Sequence, residues 1–336
     1  MEYGLVIGVS LGVCAAIAAL FLLLSWLWSP SKLQLSGRHI LIGGGSQGIG
    51  LELGKLLVAE GGSVSVVARN KDTLAKAKAE IEKHVLADKT ASVKVVTISG
   101  DLTSWESAQT AVREACAAQG KPITLLICAV GLGTSGTLED MDMKTIEGLM
   151  RTNWLAPVHL VKAALPSLKE GPRPAHIALF SSQAAQMGVY GYAAYSSAKC
   201  ALKGLAEVLE FELAPYGIRL SLCFPPDTAT PGFDVEELTK PELTRIISEG
   251  QYQAFAPDAV ARTVLCGIKR GEFQIPVGFD GWLLKNLNAA SLPQPYLGQL
   301  VVESLLAGLL RIVVQFYKGD WHRTIRKWHQ QKKKQG

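Results

Sequence analysis

Short apolar runs alternate with longer segments of helical periodicity along most of this chain. Runs at 39–44, 63–69, 93–99, 123–130, 175–182, 219–225 and 272–277 read as seven strands. The first, His39-Ile40-Leu41-Ile42, is short and apolar enough to be a buried strand. Between the runs, residues such as Leu51, Leu53, Leu56 and Leu57 recur at helical spacing. Alternating strands and helices argue an α/β fold with a parallel sheet in one large domain.

Both ends depart from that pattern. Leu5 to Trp28 is apolar apart from glycines, Ser10 and Ser25, and its roughly 24 residues would reach about 36 Å as a helix, more than the ~30 Å hydrocarbon core. A cleaved signal peptide has a basic start and a shorter apolar stretch; this start is Met1-Glu2-Tyr3. Residues 1–30 therefore read as an uncleaved transmembrane anchor, with Trp26 and Trp28 at the interface. Lys32 and Arg38 follow it, which places the large domain in the cytosol. Residues 281–317 read as a membrane-associated apolar segment. Within it, Leu300 to Tyr317 carries Glu303 and Arg311, charges that are costly at mid-membrane, so an embedded or interfacial helix competes with a full span.

Residues 318–336 form a basic tail. From Lys318 to Lys334 there are seven Lys or Arg against Asp320, a local charge of +6, while the whole 336-residue chain carries +5. The remainder is thus near neutral, so the chain's positive charge says nothing about the surface of the large domain. Trp321 and Trp328 among the bases raise the question of nucleic acid for the tail, but attraction to anionic lipid headgroups explains it better. The ending Lys333-Lys334-Gln335-Gly336 resembles a cytosolic dilysine retrieval signal of endoplasmic-reticulum membrane proteins. Cys14, Cys116, Cys128, Cys200, Cys223 and Cys266 show no ligand spacing, so reduced thiols and no metal site are expected.

The first strand runs into Gly43-Gly44-Gly45-Ser46-Gln47-Gly48-Ile49-Gly50 and then a helix. Strand, glycine-rich turn and helix is the context a dinucleotide-binding loop requires: glycines admit the pyrophosphate, and the helix N-terminus offers free N–H groups. The second strand ends in Arg69, and no Asp or Glu follows until Asp72. An acid there would select NAD by bonding the ribose 2′-OH, whereas Arg69 can pair with a 2′-phosphate and favours NADPH.

Tyr195 and Lys199 are four apart, hence on one helix face. A free tyrosine has a pKa near 10. A lysine ammonium about 4 Å away, at an effective dielectric of about 20, favours the phenolate by roughly 4 kcal/mol, about three pKa units. The spacing therefore predicts a tyrosine brought into working range for proton transfer.

With Asn153 and Ser182 upstream, these residues resemble the Asn–Ser–Tyr–Lys tetrad of the short-chain dehydrogenase/reductase family, over about residues 36–280, which implies a catalytic domain there with a doubly wound parallel sheet of Rossmann type. The resemblance implies cofactor contacts from Gly44, Ser46, Gln47, Gly48, Ile49, Gly50, Arg69, Asp101, Leu102, Tyr195 and Lys199. It implies a carbonyl held by Ser182 and Tyr195, with Ser181 as a neighbouring substrate contact, and a water relay braced by Asn153. Two departures stand out: Gly43 replaces a frequent threonine, and Ile127-Cys128-Ala129-Val130-Gly131 replaces Asn-Asn-Ala-Gly. Gln183 to Gly188, Tyr192-Ala193-Ala194-Tyr195, Ser248-Glu249 and above all Pro225-Pro226-Asp227-Thr228 resemble the 3-ketodihydrosphingosine reductases of that family. That likeness implies NADPH-dependent reduction of a long-chain 3-keto sphingoid base at the endoplasmic reticulum membrane, with residues after Thr228 to about Ala256 as a lid. A steroid or retinoid ketoreductase of the same fold and a non-catalytic NADPH-binding scaffold remain as alternatives. Helices of the family commonly pair into homodimers; this sequence leaves the assembly open.

Overall fold

The computed structural model describes residues 32–89, 92–248, 254–288 and 297–335. The N-terminal anchor read from the sequence lies outside them. Strands β1 (His39–Gly43), β2 (Ser63–Ala68), β3 (Val95–Ser99), β4 (Ile123–Cys128), β5 (Ala175–Phe180), β6 (Ile218–Phe224) and β7 (Gln274–Pro276) form one sheet. Its order is β3-β2-β1-β4-β5-β6-β7 and every pairing is parallel. Each strand falls within two residues of the run that predicts it. The ends at 129–130 and 181–182 leave the sheet because they carry loops that build the site.

Both faces are covered. Leu41 points into one layer with Leu126, Leu160 and Leu202, while Ile40 and Ile42 point into the other with Leu53, Leu57 and Val264. Each such fully buried side chain contributes about 1.5–3 kcal/mol. The covering helices are α1 (Gly48–Ala59), α2 (Lys71–Glu82), α3 (Trp105–Gln119), α4 (Met143–Met150), α5 (Ala156–Glu170), α6 (Ala193–Leu213) and α9 (Pro257–Arg270). Asn70, Ser104 and Asp142 cap α2, α3 and α4 through side-chain oxygens, which fixes where those helices begin. The strand order reverses at β1, whose neighbours are β2 and β4. A crevice for a ligand opens at the carboxyl ends of strands at such a point.

Past β6, α7 (Pro231–Thr239) and α8 (Glu242–Ser248) lie over this crevice, in the segment expected to be a lid. Thr228 bridges Phe255 in parallel, with Phe255 N donating to Asp227 O at 2.9 Å and Ala229 N to Phe255 O at 2.9 Å. The base of that segment is thereby tied back to the domain. Helices α10 (Gly278–Leu287) and α11 (Leu297–Gln335) follow.

Helix α11 is long and apolar enough to cross a membrane, yet it packs along α10 and α8. Glu303 is buried there, accepting from Gln299 Nε2 at 3.0 Å. Lys332 near the far end pairs with Glu242 of α8 at 3.5 Å. Its outward face stays apolar, with Leu305 75%, Leu309 60% and Phe316 73% exposed. The helix runs unbroken through the boundary expected at 317/318.

Candidate active site

The glycine turn after β1 is shaped by contacts that allow no side chain. Gly44 has φ +82°, and a Cβ there would lie 2.7 Å from Val130 N; one on Gly50 would lie 2.3 Å from Gly44 O. A Cβ on Gly43 would meet Leu160 at 2.5 Å and Leu102 at 2.9 Å, so the family's threonine has no room here. Gln47 precedes α1 without a side-chain cap, and the first turn holds no acid. The N–H groups of that turn, beside Ser46, Gly48 and Ile49, are left for an anion such as a pyrophosphate. These residues fit a dinucleotide.

Arg69 is exposed just past β2. The neighbouring Asn70 side chain is spent on capping, accepting from Asp72 N at 2.9 Å and Thr73 N at 3.0 Å. Asp72 therefore sits within α2 rather than at the strand end. Asp101 Oδ1 accepts from Thr103 N at 3.0 Å and Thr103 Oγ1 at 2.8 Å. Burial works to raise its carboxyl, but those bonds and the Arg69 charge hold it below the ordinary range. The Leu102 side chain lies in the core and its carbonyl meets His159 Nδ1 at 3.1 Å, so the contact with a cofactor expected of it would have to come from its backbone N–H.

Asn153, Ser182, Tyr195 and Lys199 converge at the ends of β4 and β5. Asn153 sits in a π-helical segment, Arg151–Leu155, between α4 and α5, a distortion frequent at functional sites. Its side chain accepts from Leu132 N at 3.0 Å and donates to Leu132 O at 2.9 Å, pinning the loop after β4. A side chain on Gly131 would come within 3.1 Å of Lys199 Nζ and 3.2 Å of Asn153 Oδ1. Ser182 bonds the Tyr195 phenol and accepts from Ala184 N at 3.1 Å. Ser181 also lines the cavity, but it is buried and its hydroxyl donates to Lys199 O at 2.9 Å, which ties β5 to α6.

The spacing alone predicts a lowered tyrosine pKa, and the structure gives the opposite sign. Lys199 Nζ turns away to donate to Phe180 O at 2.9 Å and lies 5.8 Å from the Tyr195 ring centroid. Burial, then the charges of Glu236 and Asp227, hold the phenol above its ordinary range, against the lowering effect of Ser182. Burial pulls Lys199 down to about 8, while Glu236 works to raise it. At neutral pH the pair is a phenol beside an ammonium.

A cavity of about 580 Å³ opens here, within the usual range for ligand pockets. It is lined by Tyr195, Lys199 and Ser182, and also by Tyr192, Asp227 and Glu236, to which sequence reasoning gave no role. Tyr192 donates to Glu236 from 44 positions away, and its ring meets that of Tyr195 edge-on with centroids 5.9 Å apart. No local motif could signal such a pair. Among the described residues no group of three or more His, Cys, Asp or Glu could hold a metal ion.

The short chain dehydrogenase pattern matches residues 38–240. The chain is 37% identical over 320 residues to a 3-ketodihydrosphingosine reductase of Bos taurus, spanning 95% of each. It is 36% identical over 323 residues to a 3-dehydrosphinganine reductase of Arabidopsis thaliana, spanning 95% of this chain and 94% of that one. Among solved structures, a dehydrogenase/reductase from Sinorhizobium meliloti 1021 aligns with a TM-score of 0.60 at 26% identity, over 74% of this chain and 92% of its own. A pattern that takes in the glycine turn and the tyrosine–lysine pair, with relatives matched along nearly their whole length, leaves one conclusion: the chain belongs to the short-chain dehydrogenase family and is an oxidoreductase.

Proposed function

We propose that this enzyme reduces the 3-keto group of 3-ketodihydrosphingosine to give dihydrosphingosine, with NADPH as cofactor. The observation that carries the reading is one cavity joining the Tyr195–Ser182 corner to walls from α8, α10 and α11, where Ile247, Leu283, Leu284, Leu287, Leu310 and Val313 offer an apolar bed for a long alkyl tail. The relatives named for this reaction support it. Arg69, with no acid at the end of β2, supports NADPH over NADH. We place the work at the cytosolic face of the endoplasmic reticulum membrane, since an anchor at residues 1–30 and the outer face of α11 would hold the enzyme where such a substrate dissolves.

When bound in the crevice, the reduced nicotinamide supplies the hydride to the carbonyl carbon. Ser182 and Tyr195 hold the ketone oxygen with their hydroxyls, and these donors stabilise the alkoxide as it forms. Tyr195, kept protonated by burial, gives its proton to that oxygen. Lys199 holds an ammonium beside the resulting phenolate and can restore its proton. Asn153 keeps the loop of Gly131 and Leu132 in place against Lys199.

The test is NADPH consumption by the detergent-solubilised full chain given 3-ketodihydrosphingosine, with Tyr195→Phe alongside and NADH as second cofactor. Turnover that prefers NADPH and disappears in Tyr195→Phe is expected. NADPH binding without turnover would sink the sphingoid assignment and direct the search to neutral steroid or retinoid ketones. Equal turnover by Tyr195→Phe would remove the proposed proton donor.

A further inference from the structure

The cavity holds charge that reduction of a plain ketone does not use. Glu236, on α7, reaches to the loop after β4, and its Oε2 would stand 1.8 Å from a Cβ placed on Gly133. Two residues earlier, Gly131 faces Lys199 Nζ and Asn153 Oδ1. Gly131 and Gly133 have Cα atoms at most about 7 Å apart, so Glu236 borders the same short loop that meets the reacting corner. The Tyr192 phenol donates to it, and both Tyr195 and Lys199 feel its charge.

Asp227 adds a second carboxylate to the same lining. It comes from the Pro225-Pro226-Asp227-Thr228 run, held in place by the bond from Phe255 N to Asp227 O. The cations in the lining are Lys240, paired with Glu237, and Lys199, donating to Phe180 O. Burial and Asp227 both hold the Glu236 carboxyl above its ordinary range, with Tyr192 and Lys240 working the other way. A cation arriving beside it would be favoured, and a neutral ketone would gain nothing.

Resting on the function proposed above, we infer that Glu236 recognises the protonated amine that 3-ketodihydrosphingosine carries on the carbon next to the ketone, and so makes the enzyme selective for amino ketones. With the ketone oxygen held by Ser182 and Tyr195, an ammonium one carbon away lies within reach of the wall that Tyr192 and Glu236 share. Its positive charge also offsets the Glu236 and Asp227 charges that add to burial in holding the Tyr195 proton, so the substrate assists its own reduction.

The experiment compares kcat/KM of wild type and Glu236→Gln for 3-ketodihydrosphingosine and for a neutral analogue with a hydroxyl in place of the amine. Wild type is expected to prefer the amine by about 10- to 100-fold, the range of a hydrogen bond between charged groups. Glu236→Gln should lose most of that preference, mainly through KM, the preference being read as the ratio between the two ketones so that any effect of Glu236 on Tyr195 and Lys199 common to both cancels. Tyr192→Phe, which keeps the carboxylate, should retain at least part of the preference, and NADPH binding by each variant verifies the fold. A Glu236→Gln enzyme with the wild-type preference overturns the assignment of Glu236 alone. A wild type that reduces neither ketone overturns the function proposed above and this inference with it.

Discussion

Replacing Asn153 by Ala separates two roles that the side chain could play. Asn153 is fully buried, and both of its polar atoms are bonded to the main chain of Leu132, at 3.0 and 2.9 Å. Removing it strands an N–H and a C=O, each costing about 1–3 kcal/mol where water cannot reach. Leu132 is 41% exposed, so water from the cavity can satisfy part of that demand. We expect a net loss of about 2–4 kcal/mol, or roughly 5–15 °C in Tm for a domain of this size. The effect on turnover should be larger than stability alone implies, because Gly131, one residue from Leu132, packs against Lys199 Nζ. A misplacement of about 1 Å at such a corner can cost about a hundredfold in rate. Denaturant unfolding and steady-state kinetics, run on the same preparation, read the two effects separately. A variant that loses the stability but keeps kcat within about threefold would falsify the claim that this loop positions the proton-transfer groups.

Three further outcomes follow from the geometry. Arg69→Ala should raise KM for NADPH by about 10- to 100-fold and leave that for NADH nearly unchanged, since only the former carries the phosphate a guanidinium would hold; an equal effect on both cofactors would count against Arg69 as the selector. Because burial disfavours the Lys199 ammonium, its proton leaves at about 8 rather than 10.5, charged below and neutral above. The pH profile of kcat/KM should therefore fall on its alkaline side near that value, and Glu236→Gln should move the limb to lower pH; an unmoved limb refutes the coupling. Gly50→Ala drives a methyl to 2.3 Å from Gly44 O, so fluorescence titration should show NADPH binding lost or weakened by at least tenfold, with normal binding contradicting the tight-turn geometry.

What the sequence made legible is what chemistry writes locally. Seven apolar runs announce seven strands because a parallel sheet buries both faces. Tyr195 and Lys199 share a helix face because four residues make about one turn. What the letters hide lies in partners distant in sequence. The four-residue spacing points Lys199 at the phenol, but its ammonium donates to Phe180 O, 19 positions back. Ser181 and Ser182 are indistinguishable as letters, and only folding sends one hydroxyl to the Lys199 carbonyl and the other to the Tyr195 phenol. Glu236 stands in an ordinary acidic stretch until folding sets it against Tyr192 and Gly133. For α11, hydropathy records how apolar the residues are, while packing decides that Glu303 faces protein.

Helix α11 turns Leu305, Leu309 and Phe316 outward, while Leu310, Val313 and Val314 line the cavity. One helix thus serves two surfaces, with one set of apolar side chains turned to the cavity and another turned away from the protein. Its 3.6-residue turn ties the two sets to one register, so inserting a single residue would rotate everything beyond it by about 100° and carry the outer set toward the cavity.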